Sequence, residues 1–106
     1  MSSTPAGPPI ESAFKDDPDM MELVEMFVDE MGDRIASMES AFGSSDWTAL
    51  QTVAHQLKGA SGGYGFDAVG EAAASLEGVL KSGSDDAATI KNEMDALTDL
   101  CRRVSA

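Results

Sequence analysis

The sequence predicts an all-α fold: an antiparallel, up-down-up-down four-helix bundle preceded by a short N-terminal lead-in. Three observations predict it. Apolar residues recur in steps of three and four along almost the whole chain, which is the period of one helix face. No stretch alternates apolar and polar residues as a half-buried strand would. The links between the periodic stretches, near 43–46, 63–67 and 82–85, are short, and short links make consecutive helices antiparallel neighbours.

Residues 1–9 hold three of the four prolines and only two apolar residues, so they read as a disordered tail. The domain is expected over residues 10–106. Ile10 and Phe14 are the apolar residues of the lead-in that could dock onto it. Asp17 can cap the first helix, and Pro18 suits its first position, where the missing N–H costs nothing. Its stripe runs through Met20, Leu23, Val24, Phe27, Val28, Met31, Ile35, Met38 and Phe42. Gly32 is a place for it to loosen or kink, and Gly43-Ser44-Ser45 is its stop.

Asp46 can cap the second helix, whose stripe is Trp47, Leu50, Val53, Ala54, Leu57, Ala60, Ser61 and Tyr64, with Gly63 and Gly65 breaking it. The third is expected from an Asp67 cap, with Val69, Ala73, Leu76, Val79 and Leu80 inward, to Ser82-Gly83. Ser84 or Asp85 starts the fourth, which carries Ala87, Ile90, Met94, Leu97, Cys101 and Val104 inward.

Composition excludes several classes. With 106 residues the chain is one domain at most. A formal net charge of -12 repels a nucleic-acid backbone and an anionic membrane surface alike. No apolar run approaches the roughly 20 residues that cross a bilayer. The lone Cys101 falls in an apolar stripe and reads as a small core residue. One His and one Cys, far apart, offer no metal-ligand spacing. No apolar signal segment stands at the N-terminus, so a cytoplasmic location is expected, and the initiating Met1 favours a complete gene product.

The only histidine, His55, carries the functional signal. With Leu50 at zero and roughly 100° per residue, the buried stripe of the second helix is centred near zero, while His55 falls at about 140°. Gly59 at about 180° and Gly62 at about 120° continue the same outer face, with Lys58 on the flank at about 80°. A mid-helix glycine costs about 1 kcal/mol relative to alanine, so two on one exposed face need a reason. The absence of side chains there would let another protein's backbone approach the imidazole. The helix end accounts for Gly62 equally well and for Gly59 badly. From Trp47 to Phe66 there is no Asp or Glu, and Lys58 is the only charged side chain besides the histidine. An anion would be tolerated there.

An exposed imidazole is a competent nucleophile toward an activated phosphoryl group, and an ammonium one turn away can steady the added charge. No phosphate-cradling glycine loop precedes a helix, and no orienting carboxylate for a general base can be seen on this face. The chain should therefore carry a phosphoryl group and not generate one. It is not expected to be an enzyme.

The stretch His55-Gln56-Leu57-Lys58-Gly59-Ala60-Ser61-Gly62-Gly63-Tyr64-Gly65 resembles the signature of the histidine phosphotransfer (HPt) domain family: H-x-L-K-G, then glycines seven and ten residues past the histidine. Asp46-Trp47, the Phe27-containing helix and Leu76-Glu77 also sit where that family has similar residues, and the likeness spans roughly residues 18–104. The resemblance implies a relay of phosphoryl groups between aspartates of receiver domains, belonging to response regulators or hybrid histidine kinases, in a two-component phosphorelay. His55 would be the phosphoacceptor, Lys58 the residue assisting the phosphate, Gly59 and Gly62 the partner-access positions, and Gln56 a flanking residue. No cofactor would be bound by the chain itself, with Mg²⁺ expected on the receiver, and a monomer is the default. Phe66 departs from the small residue of many members, so a differently shaped mouth after the second helix is expected. The competing reading is a non-phosphorylated helical docking module that modulates a receiver or kinase. An acid-base enzyme using His55 is a remote third.

Overall fold

The computed structural model describes residues 8–83 and 86–105, and these are all-helical apart from one two-residue strand pair. The four expected helices are present, the first broken in two. The elements are α1 (Pro18–Asp29), α2 (Met31–Gly43), α3 (Trp47–Gly63), α4 (Asp67–Lys81) and α5 (Ala87–Arg103). Two short strands, β1 (Ile10–Glu11) and β2 (Val104–Ser105), pair in parallel with Ile10 opposite Val104. Sequence periodicity gave no hint of them, because two residues are too few to show alternation.

The helix starts follow from capping chemistry. Asp17 accepts from the Asp19 N–H at 3.0 Å, with Pro18 in the first turn. Asp46 accepts from the Ala49 N–H at 3.1 Å. Two expected caps are corrected. Asp67 lies inside the first turn of α4, after an N-cap Phe66 whose side chain makes no cap bond; its charge still suits that end of the helix dipole. The cap of α5 is Asp86, accepting from the Ala88 N–H at 3.1 Å. The expected starts Ser84 and Asp85 lie outside the described residues, as do residues 1–7 of the expected tail.

The interruption between α1 and α2 falls at Glu30, two residues before the glycine that suggested it. Glu30 keeps right-handed angles (φ −77°, ψ −13°), and its N–H is shared between the Met26 and Phe27 carbonyls. The turn therefore tightens without losing its donors. At the end of α2 the left-handed residue is Ser45 (φ 53°), not the expected Gly43. Its N–H bonds to the Phe42 carbonyl at 3.0 Å, and the Asp46 N–H bonds to Ala41 at 2.8 Å.

The core is built from Val24, Phe27, Met31, Met38, Leu50, Ala54, Leu57, Leu76, Ile90, Leu97 and their neighbours. Phe27 stacks on Phe66 and tilts against Tyr64, each with ring centroids 5.2 Å apart. Phe66 is buried among these rings, worth about 1.5–3 kcal/mol of apolar transfer. Its side chain thus faces inward and does not shape the mouth after α3 as expected. Cys101 is a core residue, and burial pushes its thiol up to about 12. Leu23 and Ala87, expected inward, are exposed; Leu23 lies with Met21 and Met26 on the outer side of α1, whose inward stripe narrows to Val24 and Phe27.

The segment before α1 is tied to the end of α3. Ser12 donates to the Tyr64 carbonyl at 2.6 Å, and the Ala13 N–H donates to the Gly65 carbonyl at 2.9 Å. Gly65 has φ +83°, and a Cβ there would come within 2.5 Å of Ser12 Oγ and 2.7 Å of the Ala13 nitrogen. Gly65→Ala is therefore expected to cost about 2 kcal/mol or more, from left-handed strain alone, and to lower the melting temperature by roughly 10 °C. Thermal denaturation followed by circular dichroism checks this, and an unchanged transition would contradict it.

Candidate functional site

The site is assembled on α3. Its inner face is Leu50, Ala54, Leu57 and Ser61, all buried, and Ser61 turns its hydroxyl back onto the Leu57 carbonyl at 2.6 Å. The opposite face carries His55, Gly59 and Gly62, all exposed, as their phase predicts. The His55 side chain is 66% exposed.

The end of α3 settles which glycine the helix terminus requires. The Phe66 N–H bonds to the Ser61 carbonyl at 2.8 Å and the Gly65 N–H to Gly62 at 3.3 Å. With Gly65 left-handed, this is a Schellman ending. Its conformational demand falls on Gly65 and not on Gly62, which is still helical. A Cβ added at Gly59 or at Gly62 would meet nothing within 4 Å. Neither glycine is required by the backbone or by packing among the described residues.

The main correction comes from α4. Glu77 is buried, its side chain 4% exposed, on the inward stripe of Val69, Ala73, Leu76 and Leu80. Its Oε2 lies 2.7 Å from His55 Nδ1, and its Oε1 accepts from Lys58 Nζ at 2.7 Å. Lys81 Nζ stands 3.4 Å from the same Oε2. The orienting carboxylate that no residue of α3 supplies is thus provided across the helix interface. The gap in acidity around His55 exists along the sequence but not in space.

The Lys58 ammonium, acting against the cost of burial and joined by His55 and Lys81, holds the Glu77 carboxyl down at about 2, from an ordinary 4.5. An ionised carboxylate has no proton to give. His55 Nδ1 is therefore the donor of the His55–Glu77 bond, which leaves Nε2 at the far side of the imidazole. Because the folded carboxyl titrates below its unfolded value, its contribution to stability is present above about 4.5 and lost as pH falls toward 2. The melting temperature of the wild type should exceed that of Glu77→Gln near neutrality. The gap should close between pH 4.5 and 2, and a gap constant across that window would contradict the pairing.

Gln56 flanks the imidazole and is held from α2: Arg34 Nη1 donates to its Oε1 at 2.6 Å, and Arg34 also pairs with Glu30 at 3.7 Å. A shallow pocket of about 390 Å³ lies beside His55, walled by Thr48, Gln51, Thr52, Gln56, Glu77 and Lys81. All five site residues read from the sequence lie on α3, and the structure adds Glu77, Lys81 and Arg34 from its neighbours. A signal existed for Glu77, since a glutamate four residues past Ala73 interrupts an apolar stripe. Lys81 follows it by one further turn. Nothing in the sequence pairs Arg34 with Gln56.

Among the described residues no group of three or more His, Cys, Asp or Glu side chains could hold a metal ion, and no helix is long and apolar enough to cross a membrane. The site offers one nucleophilic nitrogen with its partner nitrogen fixed, and cations beside it. The family model described as the Hpt domain matches residues 22–106. No curated protein and no solved structure matches the chain.

Proposed function

The chain belongs to the Hpt domain family, and from that premise we propose that it carries a phosphoryl group on His55 between aspartates of receiver domains in a two-component phosphorelay. The single observation that carries this reading is the His55–Glu77 bond. A buried carboxylate fixes Nδ1 at 2.7 Å and leaves Nε2 on the outer side of a ring that is 66% exposed. A nucleophile presented to a partner macromolecule needs this combination of fixed orientation and open access.

In this reading the reaction is a direct exchange. Nε2 attacks the phosphorus of a receiver's aspartyl phosphate, the N–P bond forms, and the O–P bond breaks. The aspartate carboxylate leaves with the electron pair, while the Nδ1 proton stays on the ring, held by Glu77. The positive charge that the ring acquires is balanced by that carboxylate. Gly59 and Gly62 keep the approach to the ring bare. Gln56, braced by Arg34, flanks it, and Lys58 serves the site as the cation one turn away. The chain is a phosphocarrier and not an enzyme in its own right, and any Mg²⁺ belongs to the receiver.

Residues 10–106 act as one domain, a cytoplasmic monomer. We take its helices to run antiparallel, up-down-up-down; for α3 and α4 the apposition of Gly70 to Ser61 and of Glu77 to His55 supports it. The test is incubation with a panel of ³²P-labelled phospho-receivers. Label should move rapidly to the chain from a preferred receiver, as an acid-labile, alkali-stable adduct. Binding of a receiver with no transfer of label from any of them would replace this reading with a docking module.

A further inference from the structure

We propose that Lys81, rather than Lys58, is the cation that holds the phosphoryl group on His55, and that Lys58 is a positioning residue acting through Glu77. The inference rests on the phosphocarrier reading and divides the labour within that site.

Three observations carry it. Lys58 is committed: at 2.7 Å it is the cation on Oε1 of Glu77. Moving it to a phosphoryl group would leave a buried carboxylate oxygen without that partner, and stranding such a group is costly. Lys81 is not committed in the same way. It reaches Oε2 at 3.4 Å, an oxygen already bonded by His55 at 2.7 Å, and this distance is beyond a good charge-assisted hydrogen bond. Its side chain is 55% exposed on a flexible stem that can swing at little cost.

Place is the third observation. Lys81 walls the open pocket beside the imidazole, and Lys58 does not. Of the side chains there, Thr48, Gln51, Thr52 and Gln56 are uncharged, and Glu77 turns both oxygens to its cations. Lys81 is thus the charged side chain of that pocket which a dianionic phosphoryl group on the ring can draw to itself. Lys81 shifts from Oε2 to a phosphoryl oxygen, while His55 and Lys58 keep Glu77 partnered.

The experiment needs no receiver. The chain and its Lys58→Ala, Lys81→Ala and Lys81→Arg variants are phosphorylated with phosphoramidate, and the phosphohistidine ³¹P resonance is titrated against pH. A cation at the phosphoryl group lowers its ionisation midpoint. Lys81→Ala should raise that midpoint by about 0.5 unit or more, and Lys81→Arg should restore it. Lys58→Ala should leave it near the wild-type value and instead shift the ¹⁵N signal of His55 Nδ1 in the unphosphorylated protein. A Lys81→Ala midpoint equal to wild type, or a Lys58→Ala midpoint displaced as far, overturns the assignment and leaves the phosphocarrier reading standing. A wild type that takes no phosphoryl group on His55 overturns both.

Discussion

Replacing His55 by glutamine should abolish phosphoryl transfer while leaving the fold intact. The loss is expected to be complete because the amide of glutamine has no nucleophilic lone pair on nitrogen, and no second imidazole exists in the chain. The fold should survive for two reasons. The side chain is 66% exposed, so little buried apolar area is lost, and exposed substitutions usually fall within about 0.5 kcal/mol. The substituted side chain also carries N–H donors, so Glu77 Oε2 need not lose its partner on that side. Lys58 remains on Oε1 in either case. The measurement is transfer of label from the preferred phospho-receiver, with circular dichroism and thermal denaturation alongside. Acid-labile label on a folded His55→Gln protein would mean that another residue accepts the phosphoryl group. Loss of helical signal would contradict the argument that the imidazole does its work at the surface.

The helices were legible because burial in this chain is periodic. The periodic positions Leu50, Leu57, Leu76 and Leu97 carry side chains that are fully buried. The break at Glu30 was not legible, since Phe27 and Met31 lie four apart and the apolar stripe runs across it without a change of phase. The exposure of Leu23 is a related failure: periodicity reports which residues could share a face, and packing decides how wide that face is.

At the site, the phase of α3 was sufficient to place His55, Gly59 and Gly62 outward, because one helix fixes their relation. The residues missed are those whose relation to His55 is tertiary. Arg34 reaches Gln56 across 22 positions in the sequence, and Glu77 reaches His55 across 22 in the other direction. The acid-free stretch around Lys58 led to the expectation that its ammonium was free for a phosphate. The buried carboxylate one helix away already holds it.

Gly59→Glu should move stability and function in opposite directions. The position is helical and exposed, and a Cβ there would meet nothing within 4 Å. The native fold therefore has room for a side chain, and replacing a mid-helix glycine by a better helix former gains up to about 1 kcal/mol. The melting temperature should hold or rise by a few degrees. Transfer should nonetheless fall by at least about tenfold, because residue 59 sits one turn past His55 on the same face, and a misplacement of about 1 Å in the reacting groups can cost 10²-fold. The glutamate also brings negative charge beside an incoming phosphoryl dianion. Gly59→Gln separates the two effects: it keeps the bulk without the charge and should retain most of the loss if access is what the glycine secures. Gly59→Ala should raise stability by a similar amount with a smaller loss of transfer, since a methyl group fills less of the approach. Undiminished transfer by Gly59→Glu at unchanged or higher stability would remove the steric reason for the glycine. It would leave a residue that costs helix stability with no compensating gain in the structure.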